Sequence, residues 1–313
     1  INEIMYNPLL PGASYVELYN TSSTATFDLS NWQINGLAYT FPAGALLSPN
    51  QFLVLVQDQS AFINAYGPTK VPFDVFPGTL SANGETLTLQ IPGSPTNPIV
   101  VVDKIRYSAS APWPTNAAGV SLQIIDSRQD HFRAGNWAAA VGTPLATNSV
   151  LATLTSFPPL WINELQADNL TGITNSAGQR TPWLEVFNPS TNKVYCTNLY
   201  LSQTYTNLTA WAFPAGVVIN PGQFKVIFAD SQTGLSTTNE PHTSFTLSSG
   251  TGSLALTRVS NSRTQVLDYV DYLNVTPNRS YGSFPDGQSF DRQEFAYVSP
   301  GGTNNGTSAP LAV

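Results

Sequence analysis

The chain has 313 residues, enough for two domains of ordinary size that each bury a hydrophobic core. Its 42% hydrophobic content excludes a disordered chain, and because only 10% of residues are charged, the surface must consist mainly of Thr, Ser, Asn and Gln. The net charge of −7 and the 12 scattered basic residues exclude a basic patch for nucleic acid. No apolar run of about 18 residues occurs, so the sequence predicts no membrane insertion.

Short apolar segments follow one another along the first half of the chain. Residues 15–19 alternate in polarity, residues 51–57 (QFLVLVQ) are continuously apolar, residues 85–91 (ETLTLQI) alternate again, and residues 100–107 end the series. Turn pairs such as Asn-Gly and Pro-Gly separate them. The pattern predicts an all-β chain, with one helical turn over residues 59–67.

The second half repeats these phrases in the same order. YVELYN (residues 15–20) corresponds to WLEVFN (183–188), and FPAG occurs at 41–44 and again at 213–216. The correspondence continues through VVDKIRY (101–107) and VLDYVDY (266–272) to TPLATN (143–148) and SPGGTN (299–304), whereas the match of GVSLQ near Gly119 with GQSFD near Gly287 is loose. Two copies of one domain are the simplest explanation.

The repeat predicts the domain boundaries. We expect a first domain over residues 1–149, a Pro-containing linker over 150–160, which Pro158 and Pro159 stiffen, and a second domain over 161–313. About seven short strands per copy favour two tandem immunoglobulin-like β-sandwich domains. Because the sequence begins at Ile1 with neither Met nor a signal peptide, we expect it to be a processed or excised piece of a longer protein.

Several phrases of the first half together resemble one known family. They are INE, YVELYN, DLSNW (28–32), FPAG, Trp113-Pro114, SLQ (121–123) and NW…TP…N (136–148). This order is similar to that of the lamin tail domain family, and in particular to its bacterial members in large secreted or surface proteins. The second half departs from it, with CTNLYLSQT in place of DLSNW and Phe284-Pro285 in place of Trp113-Pro114. The resemblance implies an immunoglobulin-like sandwich that binds or builds structure and carries no catalytic motif.

The residues that could carry catalysis are few. His131 lies in a polar loop, which favours a solvated side chain, and neither His131 nor His242 belongs to a zinc or hydrolase motif. Cys196, the single cysteine, is predicted to pack as a small apolar residue. We therefore predict that the protein is not an enzyme and has no catalytic or cofactor-binding residues.

Four glutamates recur in predicted strands beside aromatic residues. Glu3 and Glu17 in the first copy correspond to Glu164 and Glu185 in the second. Such pairs could bind a cation or act as an acid and a base. The favoured interpretation is structural: each carboxylate either faces solvent or accepts hydrogen bonds from the backbone N–H groups of a neighbouring loop.

The second copy carries additional residues between its first two strands. Fifteen positions separate Asn2 from Glu17 and 22 separate Asn163 from Glu185, so seven residues are extra. Oxygen-bearing side chains in this segment, Asp168, Asn169 and Asn175 among them, make a calcium loop one interpretation. A turn-rich loop without a metal is the other.

Aromatic residues raise the alternative of carbohydrate binding. Trp32, Trp113 and Trp137 fall at positions of the family pattern and are assigned to the core, whereas Trp161, Trp183 and Trp211 could stack on a sugar. Six Asn-x-Ser/Thr sequons make the chain a candidate glycoprotein: Asn20, Asn169, Asn207, Asn274, Asn278 and Asn305.

These features lead to two functional hypotheses. The first is a non-enzymatic extracellular module for structure, adhesion or filament formation within a larger surface or secreted protein, whose partners are protein subunits or domains of the parent chain. The alternative is a carbohydrate-binding accessory module of a secreted enzyme, with polysaccharide as its partner.

Overall fold

The computed structural model describes residues 1–114 and 117–307. The chain divides into two compact units, Ile1–Ser156 and Phe157–Val313, here called unit 1 and unit 2. The division falls inside the segment 150–160, and the last six residues of the predicted second domain lie outside the described part of the chain.

Unit 1 consists of short strands because turn residues interrupt the apolar segments every few positions. Asn31 and Asn50, for example, lie in turns between strands and have positive φ angles of 65° and 55°, which are incompatible with extended strand backbone. The strands are β1 (Glu3–Met5), β2 (Tyr15–Tyr19), β3 (Phe27–Asp28), β4 (Gln33–Asn35), β5 (Tyr39–Thr40), β6 (Leu46–Leu47), β7 (Phe52–Val56), β8 (Asp74–Val75), β9 (Gly84–Ile91), β10 (Val100–Ser108), β11 (Val120–Ile124) and β12 (Trp137–Val141).

The strands of unit 1 form three sheets. One has the order β12-β11-β1-β2-β7-β8, the second β10-β9-β4-β5, and β3 pairs with β6 in the third. The pairing is antiparallel except between β7 and β8. β1 and β2 therefore lie in the middle of the six-stranded sheet, and β10 lies at the edge of its sheet.

Within the described residues one α-helix occurs, α1 (Gln59–Tyr66), which lies between β7 and β8, as the sequence predicts. The Asp58 side chain caps its N-terminus by accepting a hydrogen bond from the Ala61 N–H at 2.7 Å. Phe62 is its buried residue and meets Tyr15 of β2 edge to face. A short 3-10 helix, Ala134–Asn136, precedes β12.

Unit 2 is built in the same way from its own strands. They are β13 (Trp161–Gln166), β14 (Trp183–Phe187), β15 (Val194–Tyr195), β16 (Leu199–Ser202), β17 (Trp211–Ala212), β18 (Val218–Ile219), β19 (Phe224–Phe228), β20 (Gly252–Ser260), β21 (Arg263–Tyr272), β22 (Ser280–Ser283) and β23 (Arg292–Phe295), with a 3-10 helix at Thr233–Leu235. They form sheets with the orders β19-β14-β13-β22-β23, β17-β16-β20-β21 and β15-β18.

The prediction of an all-β chain is confirmed, with 5% helix, but the prediction of two tandem immunoglobulin-like β-sandwich domains is wrong. The strands form small, propeller-like sheets instead of two such sandwiches. The physical reason is that both architectures consist of short antiparallel strands separated by turns. A polarity pattern with a period of two identifies the strands but does not determine how the sheets associate.

The core of unit 2 draws on all three of its sheets, including Leu184, Ile219 and Leu254. Cys196 is buried in this core, which confirms its predicted apolar role, and burial raises the pKa of its thiol to about 12. In the described residues no helix is both long enough and apolar enough to span a membrane.

Candidate functional site: two buried glutamate pairs

Glu3 on β1 and Glu17 on β2 lie directly opposite each other in the antiparallel register. Both side chains are completely buried. They are therefore direct cross-strand neighbours in the middle of the largest sheet of unit 1. Placing two carboxyl groups here is costly unless hydrogen-bond donors surround them or a proton neutralises one of them.

Glu3 is surrounded by donors from three parts of unit 1. The Tyr15 hydroxyl donates to it at 2.6 Å, and the Ser121 hydroxyl donates from β11. Thr143 donates twice, through its backbone N–H at 2.8 Å and its hydroxyl at 3.1 Å. The Gln123 amide completes the set at 3.3 Å. Glu3 thus joins β1, β2, β11 and the loop after β12.

Glu17 has fewer donors. The Asn2 amide donates to one oxygen at 2.7 Å, and the backbone N–H of Leu145 donates to the other. Burial raises the pKa of Glu17 to about 8, although the hydrogen bond from Asn2 acts to lower it. At neutral pH this carboxyl group therefore holds a proton, which removes the repulsion between the two acids.

Unit 2 repeats the arrangement with Glu164 on β13 and Glu185 on β14, again paired in the register and completely buried. Ser280 donates to Glu164 through its hydroxyl, and Ser299 donates through its N–H and its hydroxyl, both at 3.2 Å. The backbone N–H of Gly301 donates to Glu185. Burial raises the pKa of both acids, and that of Glu185 to about 8.

The loop that donates to each pair is held by an asparagine. In unit 1 the Asn148 amide donates to the carbonyl oxygens of Asn2 and Ile124. In unit 2 the Asn304 amide donates to the carbonyl oxygens of Asn163 and Ser283 in the same way. TPLATN and SPGGTN thus close the two units through the same set of contacts.

The geometry corrects two correspondences suggested by the sequence. The partner of Ser121 in unit 2 is Ser280, since both donate to the first glutamate, whereas the loose match to GQSFD pointed to Ser289. Phe284-Pro285 follows β22, whereas Trp113-Pro114 precedes β11, the strand that contains Ser121. The two dipeptides are not equivalent. The segments between these motifs differ in length between the two units. A match of one motif therefore does not align the strands that follow it.

A second repeated contact joins the sheets within each unit. In unit 2 Asp268 of β21 accepts a hydrogen bond from the backbone N–H of Ile162 at 2.8 Å and pairs with Arg292 of β23 at 2.6 Å. In unit 1 Asp103 of β10 contacts the backbone nitrogen of Ile1, the counterpart of Ile162, and lies 2.9 Å from His131. His131 is mostly buried, so the expectation of a solvated loop histidine is wrong.

The extra segment of unit 2 forms a loop between β13 and β14 that bonds to Asp230 and Glu240, the two acids that contact His242. This histidine is completely buried, with Nδ1 2.9 Å from Asp230 and Nε2 3.1 Å from Glu240. The loop contributes the Thr181 hydroxyl, which donates to Asp230 at 3.3 Å, and the Ser176 N–H, which donates to Glu240 at 3.0 Å. Although burial opposes it, the hydrogen bonds from Ser176 and His242 lower the pKa of Glu240.

The candidate calcium residues have partners within the protein. Asp168 accepts a hydrogen bond from the Ser249 hydroxyl at 2.8 Å, and the side-chain oxygen of Asn169 accepts from the Gly172 N–H at 3.0 Å. The side-chain oxygen of Asn175 accepts from the N–H groups at positions 177 and 179. Among the described residues no group of three His, Cys, Asp or Glu side chains could hold a metal ion. These contacts are those of a turn-rich loop.

The three candidate sugar-stacking tryptophans lie in different environments. Trp183 is completely buried, and its indole N–H donates to Gln166 at 2.8 Å. Trp211 is buried against Phe213. Trp161 is half-buried. A carbohydrate site on these residues therefore depends on Trp161, because stacking requires an exposed ring face.

A family model matches the first third of the chain. Residues 1–102 match the family model described as Lamin Tail Domain. The lamin tail match contains both Glu3 and Glu17, whereas their donors Ser121, Thr143 and Leu145 lie beyond it. No curated protein and no solved structure matches the chain.

The site as a whole joins strands to loops. In each pair the donors of the first glutamate and the loop N–H that binds the second come from the same unit. The glutamates were visible in the sequence as a repeated strand residue. Most of their donors were not visible, apart from the repeated TPLATN and SPGGTN segments, because these donors lie more than 100 positions from the glutamate that they bind.

Proposed function

We propose that this protein is a non-enzymatic extracellular module for structure or adhesion, built from two lamin-tail-type units and part of a larger surface or secreted protein. The lamin tail match over residues 1–102 supports the assignment of the first unit. The glutamate pair, the loop that closes it and the aspartate contact, all of which recur in unit 2, support a second unit of the same kind.

One observation carries the proposal. The carboxyl groups that could act as acid and base, Glu3 with Glu17 and Glu164 with Glu185, are completely buried and bonded by the protein's own donors. A general acid or base must reach the proton that it transfers, directly or through one water molecule. The pairs are therefore better suited to stabilising the fold than to catalysis.

The proposed extracellular location can be tested on intact cells of the organism that produces the protein. Antibodies against the chain should label intact cells or the culture medium, and an external protease should remove the cell-bound signal. Detection only after the cells are lysed would contradict the proposal. A known cytosolic protein, measured in the same samples, shows whether damaged cells have released their contents.

The structural role is tested separately with Glu17→Gln and Glu185→Gln. We expect each variant to alter the pH dependence of stability and to leave binding to cells or matrix unchanged. A substrate turned over by the wild-type protein and lost in a folded Glu17→Gln variant would show an enzyme instead.

A further inference from the structure

A single carboxylate oxygen joins His242 to the loop of residues 167–182 between β13 and β14, here called the insertion loop. Oε1 of Glu240 lies 3.1 Å from Nε2 of the ring and accepts a hydrogen bond from the backbone N–H of Ser176 at 3.0 Å. On the other side of the ring, Nδ1 lies 2.9 Å from Oδ2 of Asp230. The ring is therefore held between two acids, one of which also holds the loop.

This geometry fits a histidine that carries a proton on each ring nitrogen. An ionised carboxylate only accepts hydrogen bonds, and a neutral imidazole has a single N–H, so only the imidazolium form donates to both acids. Such charge-assisted hydrogen bonds are strong around a ring that is completely buried. Although burial opposes it, the hydrogen bonds from Ser176 and His242 lower the pKa of Glu240, so this acid stays ionised.

The two acids differ in what else bonds to them. Asp230 accepts hydrogen bonds from the Thr181 hydroxyl at 3.3 Å and from the backbone N–H and side-chain amide of Gln232 at 3.1 and 3.3 Å. In the described part of the chain, the donors to Glu240 are the ring and the Ser176 N–H. Asp230 is also 2% exposed, whereas Glu240 is 28% exposed.

Loss of the Nε2 proton reverses the contact with Glu240. A ring nitrogen without a proton presents a lone pair, which repels the carboxylate oxygen beside it. Because Glu240 is partly exposed, it turns toward water, whereas Asp230 keeps its Nδ1 contact and its other donors. The oxygen that turns away is the one that accepts the Ser176 N–H, so the insertion loop loses this contact.

Two cations lie on the elements around the ring, and both are engaged elsewhere. The Lys225 ammonium, on β19, donates to the carbonyl oxygens of residues 238 and 239 at 2.8 Å. Arg180 of the insertion loop is exposed to solvent. The face of the ring packs on Phe228, with centroids 5.3 Å apart. The charge of a protonated His242 is therefore balanced by its two acids.

Unit 1 has neither a histidine at this position nor the longer loop. Val75 takes the place of His242, since Val56 pairs with Val75 in parallel and its counterpart Phe228 forms the equivalent parallel bridge with His242. The connection between β1 and β2 also lacks the seven extra residues. The histidine and the loop thus occur together in one unit and are both missing from the other, as expected if the histidine serves the loop.

We propose that His242 is a pH-sensitive latch: the protonated ring holds the insertion loop closed through Glu240, and loss of the Nε2 proton releases the loop. β13 and β14 stay paired when the loop opens, because their ladder includes none of the latch residues. The inference rests on these contacts and not on the proposed extracellular location, so either proposal can fail alone.

The test follows three readouts on the whole chain as the pH is raised from about 5 to about 9. The ¹⁵N resonances of the His242 ring report its protonation, and both ring nitrogens should carry a proton at the acidic end. The amide proton of Ser176 should shift upfield with the same midpoint. Trypsin should cut after Arg180 at least about fivefold faster above the midpoint than below it, relative to a synthetic peptide of residues 175–184.

Variants assign the effect to the latch. Glu240→Gln should abolish the pH dependence of both loop readouts, because a glutamine amide can accept from a protonated ring and donate to a neutral one. Glu185→Gln is the matched control, since burial raises the pKa of Glu185 to about 8, inside the same range, while its donors are Asn163 and Gly301. It should leave both readouts unchanged. Thermal midpoints establish that the variants remain folded.

Four results would overturn the inference. They are a His242 ring that keeps one protonation state over the whole range, a Ser176 midpoint different from that of the ring, and cleavage after Arg180 that keeps its pH dependence in Glu240→Gln. The fourth is a loop midpoint that moves in Glu185→Gln, which would assign the opening to the glutamate pair.

Discussion

Glu3 and Glu17 face each other across the β1–β2 pair with no exposed surface. Glu3 accepts hydrogen bonds from Tyr15, Ser121, Gln123 and Thr143, whereas Glu17 has two donors and a pKa raised by burial to about 8. The two acids of this pair thus differ in their surroundings: Glu3 accepts hydrogen bonds from four residues and Glu17 from two.

The stability of the protein should fall as the pH rises from about 4.5 to about 8. Glu17 and Glu185 have folded-state pKa values of about 8 against the ordinary glutamate value of 4.5, so in this window the folded state keeps protons that the unfolded chain has released. Their contribution is therefore complete below pH 4.5 and is lost through pH 8, at up to about 1.4 kcal/mol per pH unit for each group. Urea denaturation at a series of pH values measures it. Glu17→Gln should flatten the profile, and Asp28→Asn, at an exposed acid, should not.

Glu3→Gln should destabilise unit 1 more than Glu17→Gln. The amide nitrogen of glutamine cannot accept the hydrogen bonds that converge on Glu3, so we expect a loss of about 2 to 4 kcal/mol. Glu17 has only two donors, so the amide nitrogen of a glutamine there loses one hydrogen bond, and this replacement should cost about 1 kcal/mol. Urea denaturation at pH 7 compares them. Equal losses would contradict the assigned difference between the two acids.

Gly301→Ala should destabilise unit 2 by about 1 kcal/mol. Gly301 donates its N–H to Glu185 at a φ of 79°, a conformation that favours glycine, and no atom lies within 4 Å of the added methyl group. The cost is therefore backbone strain and not a clash. Gly302→Ala is the control, since its φ lies outside this region, and a thermal melt should show little change for it.

Asp268→Asn should cost about 3 to 5 kcal/mol, because it removes the charge that faces the buried guanidinium of Arg292. The double variant Asp268→Asn, Arg292→Met should recover part of this loss, which a double-mutant cycle in urea would measure. Asp291→Asn, at an exposed acid nearby, should have little effect. A double variant no more stable than Asp268→Asn would argue against the ion pair.

The thiol of Cys196 should react with a disulfide reagent only when unit 2 opens. Its burial and its pKa of about 12 leave almost no thiolate in the folded protein at pH 8. Labelling should be at least about a thousandfold slower than in the unfolded chain. Asp268→Asn should accelerate it and Glu17→Gln, in unit 1, should not. Rapid labelling of the native protein would contradict the burial of this thiol.

The sequence predicts local structure best where polarity and turn chemistry agree. The helical turn at residues 59–67, the strand at 15–19 and the apolar packing of Cys196 are confirmed for this reason. Asp58 and Asp230 show the limit. They occupy the same position in the repeat, yet Asp58 caps a helix and Asp230 pairs with His242. The partner of each carboxylate depends on the conformation of the loop that follows it. A repeating polarity pattern in the sequence does not specify that conformation.

What the sequence by itself determined is the all-β content, the internal repeat and the recurrence of four strand glutamates, because each follows from residue order alone. Only the tertiary structure decided that the sheets are small and propeller-like and that Ser280 rather than Ser289 bonds to Glu164. These depend on contacts between residues far apart in the chain. Side-chain periodicity is a local property, and it does not specify which distant segment fills a given space.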